Sequence, residues 1–233
     1  MLNSVICLLV YFCISLAAFF EYLPKKIINK KGARAVWVKC GGKEKERATV
    51  MLLDGSDGNK FPPLTVFKSV LSKTPQKREE NACFRNGFGR KVSEDVRQAQ
   101  LRGDVRVYDN AKAWWNAYFS AELLGYHFAS REDPSVPILL LWDDFSEVRL
   151  HAASINVALL KVPPSATSVC QPADVAWMKP LKEHLRSYWV ENLREQRDAQ
   201  APFRLTAPTR KLTGNWVVRA WTALSSDTIK NGY

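Results

Sequence analysis

Histidine and paired cysteine are scarce in this chain of 233 residues. His127, His151 and His184 fall at no spacing that suits a shared metal, and each reads as packed or solvated, not catalytic. The five cysteines (Cys7, Cys13, Cys40, Cys83 and Cys170) are odd in number, and no pair has C-x-x-C spacing. Neither a disulfide framework nor a zinc site is suggested; reduced thiols in an intracellular protein fit best. Internal repeats and low-complexity tracts are missing. Acid is also in short supply: 23 Asp and Glu stand against 34 Lys and Arg, and residues 1–20 hold no carboxylate at all. The resulting net charge of +11 favours polyanionic partners, nucleic acid first and an anionic membrane second.

What is present is enough for a globular protein. Apolar residues make up 46% of the chain, and its length allows one or two domains with a real core. Residues 4–20 form a charge-free run, just short of a typical spanning helix and within reach of a signal-peptide core. No Lys or Arg precedes the run, whereas Lys25, Lys26, Lys30 and Lys31 follow it, which is the wrong order for a secretory leader. Three readings stay open: a membrane anchor or signal, a buried core segment, or a misplaced start to the coding sequence.

Strand signals follow at 35–40, 47–53 and 64–68, with Asp57-Gly58-Asn59-Lys60 as a turn, so a three-strand antiparallel meander is expected. Residues 72–104 are polar, basic and weakly periodic, and are expected to be a loop carrying Lys73, Lys77, Arg78, Arg85, Arg90, Lys91 and Arg97. Apolar and aromatic residues recur at helical spacing over 113–129. The run Ile138-Leu139-Leu140-Leu141-Trp142 reads as a buried strand that delivers Asp143, and Asp144 beside it, to the carboxyl edge of a sheet. A short helix near 148–154 and a strand at 156–162 lead to Pro163-Pro164-Ser165. Asp174 then opens a long amphipathic helix reaching Gln200, with Trp177, Leu181, Leu185, Trp189 and Leu193 on its apolar stripe. A last helix carries Trp216, Val217, Ala220, Trp221 and Leu224. Two carboxylates brought together after two strands supply hard oxygen ligands of the kind Mg²⁺ requires for phosphoryl-transfer chemistry.

The ordered motifs Lys43-Glu44-Lys45-Glu46-Arg47-Ala48-Thr49-Val50, Ser56-Asp57-Gly58-Asn59-Lys60, Leu139-Leu140-Leu141-Trp142-Asp143-Asp144, Val162-Pro163-Pro164-Ser165-Ala166-Thr167-Ser168 and Gln171-Pro172-Ala173-Asp174 carry a family resemblance. The chain resembles DDE-superfamily transposase domains of the pogo/Tigger, mariner-like branch from about residue 19 to its end. The resemblance implies an α/β fold, a ribonuclease-H-like mixed sheet flanked by helices, with an incomplete or altered first strand. It divides the chain into a leading apolar segment (1–20), the ribonuclease-H-like domain (21–200) and a C-terminal basic segment with a helix (201–233). It also implies three acids holding two Mg²⁺ or Mn²⁺ ions for DNA cleavage and joining, with Asp143 as the second acid and Asp174 as the third.

The first acid, expected near Ile14, is missing. Glu21 and Asp54 are the nearest carboxylates, and neither is a convincing substitute. The helix between the second and third acids also reads as trimmed, and the helix-turn-helix region that relatives carry upstream is not found. The resemblance therefore implies a transposon-derived nuclear protein that binds DNA without strand-cleaving activity. Lys179, Lys182, Arg186, Arg194 and Arg197 would meet phosphates, or else form an ordinary solvated face. Two alternatives remain: a metal-dependent endonuclease with an unorthodox first ligand, and a membrane-tethered or secreted interaction protein.

Overall fold

The computed structural model describes residues 10–23, 30–32, 40–43, 45–142, 148–163, 170–199, 202 and 204–233. Its centre is a six-stranded mixed sheet of order β4-β3-β2-β1-β5-β6. Strand β1 (Val10–Phe19) lies antiparallel to β2 (Arg47–Gly55), with Tyr11 opposite Gly55 and Phe19 opposite Arg47. β2 is in turn antiparallel to β3 (Leu64–Lys68). On the other side β1 runs parallel to β5 (Ile138–Trp142), and β5 parallel to β6 (Val157–Lys161). Those five strands have the order and directions of the ribonuclease-H-like sheet expected. β4 (Arg106–Asn110) extends the sheet in parallel beyond β3.

The apolar run near the start is thus an inner strand of the sheet, in residues 10–19 at least. Of the three readings, residues 10–19 support that of a buried core segment, and among the described residues no helix is long and apolar enough to cross a membrane. A strand covered on both faces needs apolar side chains on both, which is why β1 is uniformly apolar and not alternating. The strand is ten residues long among the described residues. The meander is also re-partnered: β2 pairs with β1, while the expected strand at 35–40 falls almost wholly outside the described residues.

Phe12, Ile14, Leu16, Val50 and Leu52 face one helical layer, meeting Trp177, Leu181, Leu185, Trp189, Trp216 and Trp221. Cys13, Met51, Leu53, Leu140 and Trp142 face the other, against Phe119, Leu123, Leu124, Phe128 and Ala152. The expected 72–104 loop is instead two helices, α1 (Pro75–Arg85) and α2 (Arg90–Leu101). Pro75 starts α1 where its missing N–H is harmless, and Asn86 (φ 52°) followed by Gly87 (φ 95°) stops it in left-handed backbone. Few apolar residues anchor the pair; Phe88 and Val96 join Phe20, Ala48, Phe67, Val105 and Val107 in a third cluster. Helix α3 (Ala117–Leu124) continues as a π turn over Gly125–Ala129, and α4 (Arg149–Ser154) is the only helix described between β5 and β6. Helices α5 (Met178–Ala199), α6 (Arg210–Ala223) and α7 (Ser226–Lys230) complete the fold.

Candidate functional site

The place to look is where β5 ends. Its last residue, Trp142, pairs with Cys13 of β1, and β1 then continues past it. The next residue of β1 is Ile14, 5% exposed, in the apolar cluster that receives α5 and α6. The expected site of a first acid is therefore an isoleucine in core packing. Asp143 follows Trp142 in sequence and, with Asp144, lies outside the described residues.

Asp174 is described. It sits exposed on a π turn, Ala173–Trp177, that runs straight into α5. Such a turn fits the sequence: Pro180, in the first turn of α5, has no N–H to continue a regular ladder from the preceding turn. Ala173 and Trp177 fix the turn to the sheet, with the Trp177 ring edge-on to Trp221 at 5.1 Å. Gly232 backs it so closely that a side chain there would strike Pro172. One wall of a site is thus well held, with its carboxylate turned to solvent.

The two possible substitutes have other work. Glu21 is buried and accepts from the backbone N–H groups of Gly41 (2.8 Å) and Lys43 (2.7 Å), so it pins a loop. Asp54 is fully buried at the end of β2 and accepts from the Tyr233 hydroxyl at 2.7 Å. Burial pushes its carboxyl up to about 7, with the Tyr233 bond opposing, and its second oxygen has no hydrogen-bond partner. The neighbouring turn carries Lys60, whose ammonium bonds the carbonyls of Trp221 (2.9 Å), Thr222 (2.8 Å) and Leu224 at the end of α6. These groups dock the C-terminal helices on the hairpin.

A pair of divalent ions does not fit the described residues. Ile14 has no donor atom, and no cluster of three or more His, Cys, Asp or Glu side chains suited to a metal occurs among them.

The cations are better placed. On α5, Lys179, Lys182 and Arg194 are exposed and Arg186 is half-buried, while Arg197 is paired with Asp198 at 2.8 Å. Sequence reasoning missed Arg219 of α6, whose guanidinium lies over the Tyr188 ring at 4.3 Å. Arg186, Arg194 and Arg219 share an open groove of about 580 Å³ with Glu183 and Glu191. Its signal was available: Arg219 interrupts the apolar spacing Trp216, Val217, Ala220, Trp221 on a helix whose other face is packed. In the 73–97 segment Arg85 (2.6 Å) and Arg90 (3.7 Å) both bind Glu80, and Arg97 binds Glu94 (2.8 Å). Lys73, Lys77, Arg78 and Lys91 remain exposed there.

Residues 45–233 match the family model described as "DDE superfamily endonuclease". The chain belongs to that family. Among curated proteins it is similar to the human "Pogo transposable element with KRAB domain", 26% identical over 221 residues, covering 91% of this chain and 32% of the relative. The mouse protein of the same description is 25% identical over the same length. The DDE domain described above thus spans about a third of the length of these relatives. Two solved structures are similar to it: a pre-cleavage Mos1 transpososome (9% identity, TM-score 0.46, 96% of this chain and 51% of that one) and a Mos1 mariner paired end complex with Mn (11%, 0.45, 96% and 51%).

Proposed function

We propose that this is a transposon-derived DDE domain that binds DNA in the nucleus and does not cut or join strands. One observation carries the second half: Ile14, packed in the core beside the end of β5, stands where the family pattern calls for the first acid. Asp143 and Asp174 are then remnants of the second and third acids, two donors where a two-ion mechanism needs three. Support for binding comes from the net charge of +11, the exposed α5 cations Lys179, Lys182 and Arg194, and the groove holding Arg186 and Arg219. Phosphate contacts of this kind are independent of sequence and release counterions.

Two assays on the unmodified chain test the proposal. Fluorescence anisotropy with a duplex should show an affinity that falls steeply with salt, the logarithmic slope losing roughly 0.9 for each phosphate contact removed, as in Lys182→Glu. Plasmid incubated with the protein and Mg²⁺ or Mn²⁺ should stay supercoiled. Nicking that vanishes in Asp143→Ala and Asp174→Ala would instead establish an endonuclease with an unorthodox first ligand.

A further inference from the structure

Trp114 and Trp115 are adjacent in sequence and opposite in fate. Trp115 is half-buried, and its indole N–H donates to Ser120 at 2.9 Å. Trp114 is 62% exposed, while Trp142, Trp177, Trp189, Trp216 and Trp221 are all buried. A large apolar ring in water is disfavoured, so the loop that displays it invites a physical reason.

That loop is rigid. The Asn110 side chain accepts from the N–H groups of Lys112 (3.0 Å) and Trp114 (3.3 Å) and donates to the Trp114 carbonyl (2.8 Å). Ala113 between them is held in left-handed backbone (φ 55°), unfavourable for a residue with a Cβ, and the Thr49 hydroxyl of β2 clamps its carbonyl at 2.6 Å. Strain of this kind persists only where the surroundings enforce it.

A cation lies against the ring. The Lys112 ammonium lies 4.6 Å from the Trp114 ring centre. Lys68, exposed, stands opposite Asn110 in the parallel β3–β4 register, and Arg210 donates to the Lys68 carbonyl at 2.8 Å. The nearby carboxylate, Asp109, is buried behind the strand. An exposed indole on a braced loop, with Lys112 against its ring and Lys68 exposed on the strand paired with the start of that loop, matches what unpaired nucleic acid requires: a face to stack on and charges for the phosphates alongside.

We propose that the Asn110–Asn116 loop is a stacking platform for unpaired bases, with Trp114 as the face and Lys112 and Lys68 as phosphate contacts. It rests on the DNA-binding reading above and narrows it to single-stranded or frayed DNA at this one place, remote in sequence from the α5 cations.

The test compares the full chain with Trp114→Ala, Trp114→Phe and Lys112→Ala, using a fluorescein-labelled single strand of mixed sequence and a blunt duplex. Trp114→Ala should weaken single-strand binding roughly 5- to 100-fold, with duplex binding unchanged. Trp114→Phe, which keeps a ring, should retain most of the affinity. Lys112→Ala should lower the single-strand salt slope by roughly 0.7. Unchanged single-strand affinity in Trp114→Ala, or equal losses on single strand and duplex, overturns the platform. So does a concentration-dependent dimer that Trp114→Ala abolishes while single-strand affinity stays the same; that result assigns the ring to a second copy of the chain. Failure of the platform alone leaves duplex binding sensitive to Lys182→Glu, whereas no binding to either probe ends both proposals.

Discussion

Asp54 should make the protein's stability depend on pH in a way that a single substitution reveals. Its carboxyl is moved from an ordinary 3.8 to about 7, chiefly by burial. Between those values the folded chain holds a proton that the unfolded chain has released. The associated stability is present at low pH and is lost as pH rises through the window, by about 1.4 kcal/mol per unit and about 4 kcal/mol in all. His127 acts in the opposite sense. Burial, with Arg106 nearby, moves it from 6.5 down to about 4. The folded chain there refuses a proton that the unfolded chain accepts, so its contribution grows as pH rises from about 4 to 6.5. The two slopes cancel over most of that range. Asp54→Asn removes one of them. The difference in unfolding free energy between variant and parent, measured by urea titration, should rise by about 1.4 kcal/mol per pH unit between about pH 4.5 and 6.5. All other titrating groups are common to both proteins and drop out. The asparagine amide occupies the position of an oxygen with no partner and costs about 1–3 kcal/mol at every pH, so the slope of the difference is the readout, not its absolute value. A difference independent of pH across that range would refute the burial of a largely protonated Asp54.

Lys60→Met keeps an apolar stem but removes three bonds to the carbonyls ending α6. It should cost roughly 2–3 kcal/mol, and an unchanged urea midpoint would reject the capping role. Ile14→Asp places a carboxyl among Phe12, Leu16, Val50, Leu52 and Trp177. The expected loss is about 3–5 kcal/mol near neutral pH, read by thermal melting, and a melt like the parent's would show that residue 14 is not in the core.

The strands and helices that were legible are those whose apolar pattern answers one question at a time. β5, a five-residue apolar run, and α5, with Leu181, Leu185 and Trp189 at helical spacing, have no rival assignment. β1 was ambiguous because a continuous apolar run suits an inner strand, a leader and a membrane helix alike; only the partners on both sides decide. α1 has so few apolar residues that periodicity is silent, although Pro75 at its start and Asn86-Gly87 at its end were readable. β4, Arg106–Asn110, is charged at two of five positions and owes its strand state to the parallel ladder with β3. In the site, the lack of any carboxylate in residues 1–20 could be read directly. The tasks of Glu21 and Asp54 could not, because their partners, Gly41, Lys43 and Tyr233, are set by chain folding and not by local spacing.

The same physics explains why position 14 accommodates isoleucine while Asp174 persists. Asp54 shows how this sheet treats a carboxylate on the face toward α5 and α6: burial drives it toward the neutral acid. A carboxylate at position 14, two residue pairs along the same β1–β2 ladder from Phe12 and Asp54 and so on the same face, would meet similar surroundings unless a cation compensated it. Isoleucine there avoids that desolvation cost and adds the burial of an aliphatic side chain, worth about 2–3 kcal/mol. Asp174 is exposed on its π turn, so water already solvates it and nothing in the packing disfavours it. On the function proposed above, a donor at position 14 is the one that stability disfavours, and Asp174, at the surface, is the one that packing leaves alone.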